Sequence, residues 1–136
     1  MAKETGLGWT TLDVDDSSSA AQDIRNDVTN FQFSTPIAVQ EVTGIDKFAI
    51  ERLLLLADFS ITLNGVFNDA ATDSAHSVLK DVASTRVTRT VAIAVSGQTL
   101  SNECLLTDYA LTRGDDGSLT WSAPGVLANG TAPAWS

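Results

Sequence analysis

Residues 57–68, ADFSITLNGVFN, decide how the rest of the chain must be read. Phe59, Ile61 and Leu63 alternate with Ser60, Thr62 and Asn64, so one face is apolar and the other carries hydroxyls and an amide. A period of two is the signature of a half-buried β-strand. The apolar block Leu53 to Leu56 runs into this stretch with no breaker between them, and a run apolar at every position suits a strand covered on both faces. The whole therefore reads as a central strand against which other strands and one helix must pack. Upstream a helix competes: Asp46 can cap it, and Phe48, Ile50 and Leu53 to Leu55 give partial helical spacing. For residues 52–56 strand is favoured, with helix as the alternative. Asn64-Gly65 is ordinarily a hairpin signal. Here only Val66-Phe67 precedes Asn68-Asp69, too short for a returning strand, so Gly65 reads as a bend or bulge in one continuing strand.

Towards the N-terminus, residues 1–8 are polar and Gly-bearing, a flexible arm. Residues 9–14 (WTTLDV) read as a first strand, 15–21 (DDSSSAA) as an acidic, Ser-rich loop, and 28–34 (VTNFQFS) as a strand with Phe31 and Phe33 on one side. Residues 35–47 (TPIAVQEVTGIDK) are β-friendly but punctuated by Pro36, Gly44 and Asp46. They predict an extended excursion or an irregular edge hairpin outside the core.

Towards the C-terminus, residues 69–82 predict the one helix. Ala71, Ala75, Val78, Leu79 and Val82 form a single apolar stripe, with Asn68 or Thr72 as its cap. In residues 85–95, Val87, Val91, Ile93 and Val95 share a strand face. Arg89 is the odd member of that row, placed at a frayed or partner-facing end. Residues 100–113 form a long strand, Gly114 to Gly117 a tight turn, and 118–123 the return, with Leu119 and Trp121 aligned. Residues 124–136 read as a Pro/Gly-rich tail. The fold class is mainly β, an antiparallel β-sandwich or partial barrel with one flanking α-helix, in a single domain spanning residues 1–136.

Eight basic against seventeen acidic residues give a net charge of −9. That charge disfavours a surface that grips nucleic acid, since affinity for phosphates comes from clustered Lys and Arg. It is compatible with a surface past which nucleic acid slides. The basic residues are scattered, Arg86 and Arg89 being the nearest to a pair. With one cysteine, Cys104, neither an internal disulfide nor a multi-Cys zinc pattern can be built, and no window has the length of a membrane span. The start of the chain lacks a signal-peptide core, so folding in a cytoplasm is expected.

Catalysis needs a base, a nucleophile and an orienting group. The lone histidine, His76, falls on the helix flank away from the apolar stripe and reads as a solvated residue. No Gly-x-Ser-x-Gly elbow and no phosphate-binding Gly-rich loop occurs. Cys104 sits in strand alternation and reads as a small core or interface residue. Asp13, Asp15 and Asp16 beside Ser17 to Ser19 resemble a fragment of a calcium loop but lack its Gly and terminal Glu; a solvated acidic loop is the simpler reading. Asp115-Asp116 between glycines is a turn. Trp9, Trp121 and Trp135 could form a sugar-stacking platform, although Trp in β-proteins is more often core or interface. No catalytic, cofactor-binding or metal residues are assigned, and the chain is not expected to be an enzyme.

The run 51–68, ERLLLLADFSITLNGVFN, with VQEVTGIDK upstream, resembles the major tail proteins (tail tube proteins) of long, non-contractile-tailed siphovirus-type phages, especially those of actinobacteria. HSVLKDV, TRTVAIAVSGQTLSNECLLTDYALTR and GDDGSLTWSAPGVLANG agree with that family in order and content. The resemblance covers the chain from about Trp9 onward. It implies a structural virion protein whose hexameric rings stack into a hollow tail tube, through which DNA passes during ejection. It also implies an inner barrel built from the strands of six subunits and a loop reaching the neighbouring ring, for which residues 35–47 are the candidate. Implied partners are further copies of the chain, a tape-measure protein in the lumen, and tail-tip and tail-terminator proteins; the implied location is the virion tail, assembled in the host cytoplasm. Arg52, Arg86 and Arg89 are expected to contact acidic neighbours on adjoining subunits. At this length no appended immunoglobulin-like domain fits, so a smooth tube is expected. The rival readings are a tail-terminator or head-tail connector ring, and a monomeric glycan-binding β-sandwich.

Overall fold

The computed structural model describes residues 3–136. Its strands are β1 (Trp9–Asp15), β2 (Ala21–Asp23), β3 (Val28–Ser34), β4 (Ile37–Glu41), β5 (Arg52–Ala57), β6 (Ser60–Val66), β7 (Arg89–Val95), β8 (Gln98–Leu106), β9 (Ala110–Arg113) and β10 (Leu119–Leu127), with a helix α1 (Ala75–Leu79) and a 3-10 turn at Arg25–Asp27. Eight strands form one antiparallel sheet in the order β2-β1-β7-β8-β10-β6-β3, with β9 also on β10; β4 and β5 pair only with each other. The mainly β, antiparallel class with one helix is the one the sequence predicts. Lys3 to Gly8 form no strand and are exposed at the residues the structure describes, while Met1 and Ala2 of the expected arm lie outside them.

The sheet curls around one core. Leu12 of β1, Phe59 just before β6, Ile61 and Leu63 of β6, Ile93 of β7, Leu100 and Cys104 of β8, and Trp121 of β10 all bury into it, with Val78 and Leu79 of α1 packed among them. Its two ends meet through rings: Trp9 of β1 lies edge-on to Phe31 of β3 with centroids 4.8 Å apart. Phe33 adds contacts to Trp9 and, on its other side, to Trp135. This arrangement leaves a cleft of about 610 Å³ along the seam, lined by Trp9, Arg25 and residues 28–33.

Alternation at Phe59, Ile61 and Leu63 is realised as read, with all three at most 1% exposed. β6 continues through Asn64-Gly65, and the extra residue sits opposite, in β3 between Val28 and Asn30. Gly65 is required for packing. A Cβ there would run into the Asp27 carbonyl oxygen and lie 2.8 Å from Trp121 Cε2 and Cζ2. Gly65→Ala is therefore expected to lower the unfolding free energy by about 1–3 kcal/mol, the range for overpacking a filled core, measurable by urea denaturation.

Several elements differ from their predicted form. The helix runs only from Ala75 to Leu79, because Ser74 rather than Asn68 or Thr72 caps it: Ser77 N donates to Ser74 Oγ and Ser74 N to Ser77 Oγ. Asp73 just before it takes a positive φ of 57°, so the apolar stripe cannot extend back to Ala71. Buried Asp27 then fixes that end, accepting from Ala75 N at 2.7 Å and from Asn68 Nδ2 at 3.0 Å. The predicted strand at 100–113 breaks at Thr107 to Tyr109 into β8 and β9, both lying along the same edge of β10. At the break Thr107 N donates to the Pro124 carbonyl. Pro124, which lacks an N–H, thus sits inside a strand at the one place where its neighbour is interrupted. β10 consequently runs on to Leu127, into residues read as tail, and the chain end returns to β8 through Thr99 and Ser136, which exchange two 2.9 Å backbone bonds.

The wall β9-β10-β6-β3 has a distinctive outer face. Opposite the buried Ile61, Leu63, Trp121 and Ala123, it presents Asn30, Gln32 and Ser34, then Ser60, Thr62 and Asn64, then Thr120, Ser122 and Pro124, then Ala110 and Thr112, bordered by Val66 and Val126. No charged residue lies on it. Its polar groups pair across strands, Asn64 Nδ2 donating to Asn30 Oδ1 at 2.9 Å and Ser34 Oγ lying 3.0 Å from Ser60 Oγ. The wall β2-β1-β7-β8 is acidic instead. Asp13 faces Asp23 across β1 and β2, and Thr90 Oγ1 donates to Glu103 Oε2 at 2.7 Å.

Candidate functional site

The hairpin of β4 and β5 stands outside the curled sheet. Its roots are short: Ser34 passes through Thr35-Pro36 into β4, and Ala57 passes through Asp58-Phe59 into β6, with Asp58 N donating to the Pro36 carbonyl at 2.8 Å. Val42 N bonds Glu51 O, and Glu51 N bonds Thr43 Oγ1, so pairing extends past the named strands toward the tip. At the tip, Lys47 lies between Asp46 and Glu51.

This places Leu53 to Leu56 differently from the sequence reading. The four leucines are indeed strand, but Asp58 separates them from β6, and they belong to the hairpin with residues 37–41 as their partner. Val39 opposes Leu54 and Gln40 opposes Leu53, so leucines point from both faces of a two-stranded ribbon. Neither face is covered: Leu54 is 72% exposed and Leu56 84%. At the tip Ile45 and Phe48 are fully exposed. Most of the large apolar side chains exposed among the described residues fall between Ile37 and Leu56. An isolated two-stranded ribbon is marginal in water, and a contiguous apolar surface of this kind marks an interaction site. Sequence reasoning recognised the near arm, 35–47, as an excursion and missed Ile45 and Phe48 as apolar tip residues.

The three arginines expected at subunit contacts separate. Arg52 and Arg86 are exposed. Arg89 is 1% exposed and internal. Its Nη1 donates to the Val78 carbonyl at 2.6 Å and to the Asp15 carbonyl at 3.2 Å, and its Nη2 to Asp81 Oδ1 at 2.8 Å. It is neither frayed nor partner-facing: it caps the end of α1 and ties that end to β1. Thr90 N adds a bond to Asp15 Oδ2.

The remaining candidates are held in the fold. His76 is packed between Phe67 and Tyr109 and its Nδ1 lies 3.0 Å from Tyr109 Oη, so it is partly buried where solvation was expected. Burial raises the Tyr109 hydroxyl above its ordinary value, with Asp27 adding to the shift. Cys104 is wholly buried, and burial with the nearby Glu103 charge pushes its thiol up to about 12; it is inert at neutral pH. Asp16 spends its carboxylate within its own loop, accepting from Ser18 N, Ala20 N and Gln22 Nε2. Burial and then the facing Asp23 raise the Asp13 carboxyl, with Arg25 opposing, while a hydrogen bond from Arg25 holds Asp23 low. Asp116 turns its carboxylate onto Ser118 N. Trp121 is core, donating Nε1–H to the Val66 carbonyl, and Trp9 and Trp135 pack against Phe31 and Phe33. Trp9 and Trp135 meet through Phe33, while Trp121 lies apart beside Tyr109.

The architecture is one that assembled tail particles use. A chain from the tail of an empty gene transfer agent particle with C6 symmetry matches at a TM-score of 0.70 and 19% identity, over 98% of each chain. A chain from the virion of a native gene transfer agent particle matches at 0.67 and 19% identity, over 98% of this chain and 99% of that one. A chain from the six-fold symmetrised baseplate of the anti-feeding prophage matches at 0.70 and 10% identity, over 100% of this chain and 97% of that one. At such identities the likeness defines a shared fold. No protein-family model and no curated protein matches the sequence.

Proposed function

We propose that this chain is the tube-forming subunit of a phage tail, of the long non-contractile, siphovirus type that the sequence resembles. Six copies form a ring, and rings stack into the hollow tube that DNA traverses at ejection. The observation that carries this reading is the uncovered apolar hairpin on a chain with the fold of tail-particle components. A ribbon with leucines on both faces needs cover on both, and stacked rings supply it from within the ring and from the next one. Residues 35–47, with 52–57 as the other arm, are the inter-subunit element. The subunit has a structural, non-enzymatic role in the virion tail. Its partners are its own copies, a tape-measure protein in the lumen, and tail-tip and terminator proteins.

Likeness to a baseplate chain favours one second reading, a ring component that closes or starts a tail and does not propagate. Negative-stain electron microscopy of the purified protein over a concentration series separates the two. Long hollow tubes are the expected result. Isolated rings that never stack would select the second reading, and a monomer at every concentration, even with tail-tip components added, would refute both.

A further inference from the structure

We infer that Asn129 is a site of spontaneous covalent modification: Gly130 N attacks its side-chain amide and converts it to aspartate and isoaspartate, while the sheet protects the same dipeptide at Asn64-Gly65. The chain has six asparagines, and only Asn64 and Asn129 precede a glycine. Ring closure of an asparagine onto the next backbone nitrogen needs that nitrogen uncrowded and the local backbone free to turn. Glycine supplies both. The two dipeptides share this chemistry and differ in how the fold holds them.

Asn64-Gly65 lies inside β6, paired on one side with Ser122 and Trp121 of β10 and on the other with Asn30 and Val28 of β3. The Asp27 carbonyl oxygen and the Trp121 ring press on Gly65, and Asn64 Nδ2 is engaged with Asn30 Oδ1. Closing a ring there would turn the strand out of both ladders. Asn129-Gly130 lies beyond the end of β10, in an exposed bend. Gly130 has a positive φ of 73°, and no heavy atom beyond its chain neighbours lies within 4 Å of where a Cβ would stand. Among the described residues its N–H has no hydrogen-bond acceptor. Thr131 N donates to Asn129 Oδ1 at 3.1 Å, closing an Asx turn. That bond polarises the amide carbonyl, and it is already in place for the negative charge that gathers on Oδ1 when Cγ becomes tetrahedral. Asn68 makes the contrast. Its Oδ1 also accepts from the nitrogen two residues on, Ala70 N at 3.1 Å, but the attacking nitrogen would belong to Asp69, whose side chain crowds it, and its Nδ2 is tied to buried Asp27.

In the step itself Gly130 N bonds to Asn129 Cγ and gives up its proton, the Cγ–Nδ2 bond breaks, and Nδ2 leaves as ammonia. Water then opens the succinimide. Attack at Cγ gives aspartate; attack at the main-chain carbonyl gives isoaspartate, whose chain runs through the former side chain and is longer by a methylene. Either product adds one negative charge. The change falls on the connection between β10 and the C-terminal return, where Ser136 and Thr99 exchange backbone bonds and Trp135 packs on Phe33. An aged subunit thus carries extra charge, and in part extra length, at that connection.

The test is to hold the purified full-length protein at mildly alkaline pH in water enriched in heavy oxygen, digest it in acid, and read its peptides by mass spectrometry. Each converted asparagine takes up one solvent oxygen. In the folded protein Asn129 should convert at least about tenfold faster than Asn64, a difference in barrier of about 1.4 kcal/mol. Its peptide should also separate into aspartyl and isoaspartyl forms. In guanidinium chloride the two rates should converge. Equal rates in the folded protein would overturn the inference, as would an Asn129 that stays intact while Asn64 of the denatured chain converts. Rates that stay apart in denaturant would trace the difference to the flanking residues instead of the fold, and would overturn it as well.

Discussion

Arg89→Met is expected to lower the unfolding free energy by about 3–5 kcal/mol, the range for breaking a buried charged network from one side. Methionine fills much of the stem's volume, so the loss isolates the guanidinium. The Val78 and Asp15 carbonyls would lose their donor inside the protein, and the end of α1 would lose its tie to β1. Guanidinium chloride denaturation of the two proteins gives the difference directly, and a change below about 0.5 kcal/mol, the ordinary level for a surface substitution, would mean that Arg89 is not structurally required. The pH dependence supplies an independent check. Burial raises the Asp81 carboxyl, but hydrogen bonds from Arg89 and Ser17 and the Arg89 charge outweigh it, leaving the group below its ordinary 3.8. A carboxyl depressed on folding stabilises the protein above its unfolded pKa, and that contribution is lost as pH falls through the lower folded value. The gap between parent and variant should therefore be full above pH 3.8 and narrow in stronger acid.

A second substitution should leave stability alone and remove assembly. Leu54→Ser with Leu56→Ser changes two largely exposed side chains of β5, and exposed positions of this kind usually shift stability by no more than about 0.5 kcal/mol. If the hairpin is the joint between subunits, the variant should stay unassembled at concentrations where the parent forms tubes, while its thermal unfolding matches that of the parent. Covering apolar side chains of this size is worth roughly 1.5–3 kcal/mol each, and every subunit repeats the loss along a polymer. Parent-like polymerisation by the double variant would remove the hairpin from the joint.

Sequence made some of this legible and hid the rest for definable reasons. The alternation at Phe59, Ile61 and Leu63 was readable because a strand's two faces are written in consecutive residues. That one strand continues through Gly65 was readable because the run beyond it was too short to return, although the bulge itself sits opposite, in β3. Arg89 was not, since its partners Asp15, Val78 and Asp81 lie in two other segments and nothing near Arg89 announces them. The leucines at 53–56 were legible as apolar strand. What covers them was not, because a run apolar on both faces looks the same whether its own domain or another molecule supplies the cover. Thus the candidate site was half visible, its near arm as an excursion and its far arm mistaken for the centre of the domain. The helix was overextended because a stripe of small apolar residues says nothing of where a cap such as Ser74 and a distant carboxylate such as Asp27 will start it.

The short roots of the hairpin also have a mechanical consequence. β4 and β5 continue β3 and β6 through two residues on each side, so tension applied at the tip pulls both body strands along their own length. That load passes to β10 as shear across the paired run from Thr120–Val66 to Val126–Ser60, whose hydrogen bonds share the force. Nothing in this path peels a strand away one bond at a time. If copies are joined through such roots, stretching the assembly would load the sheet in shear, and bending would fall to the Thr35-Pro36 and Asp58-Phe59 joints.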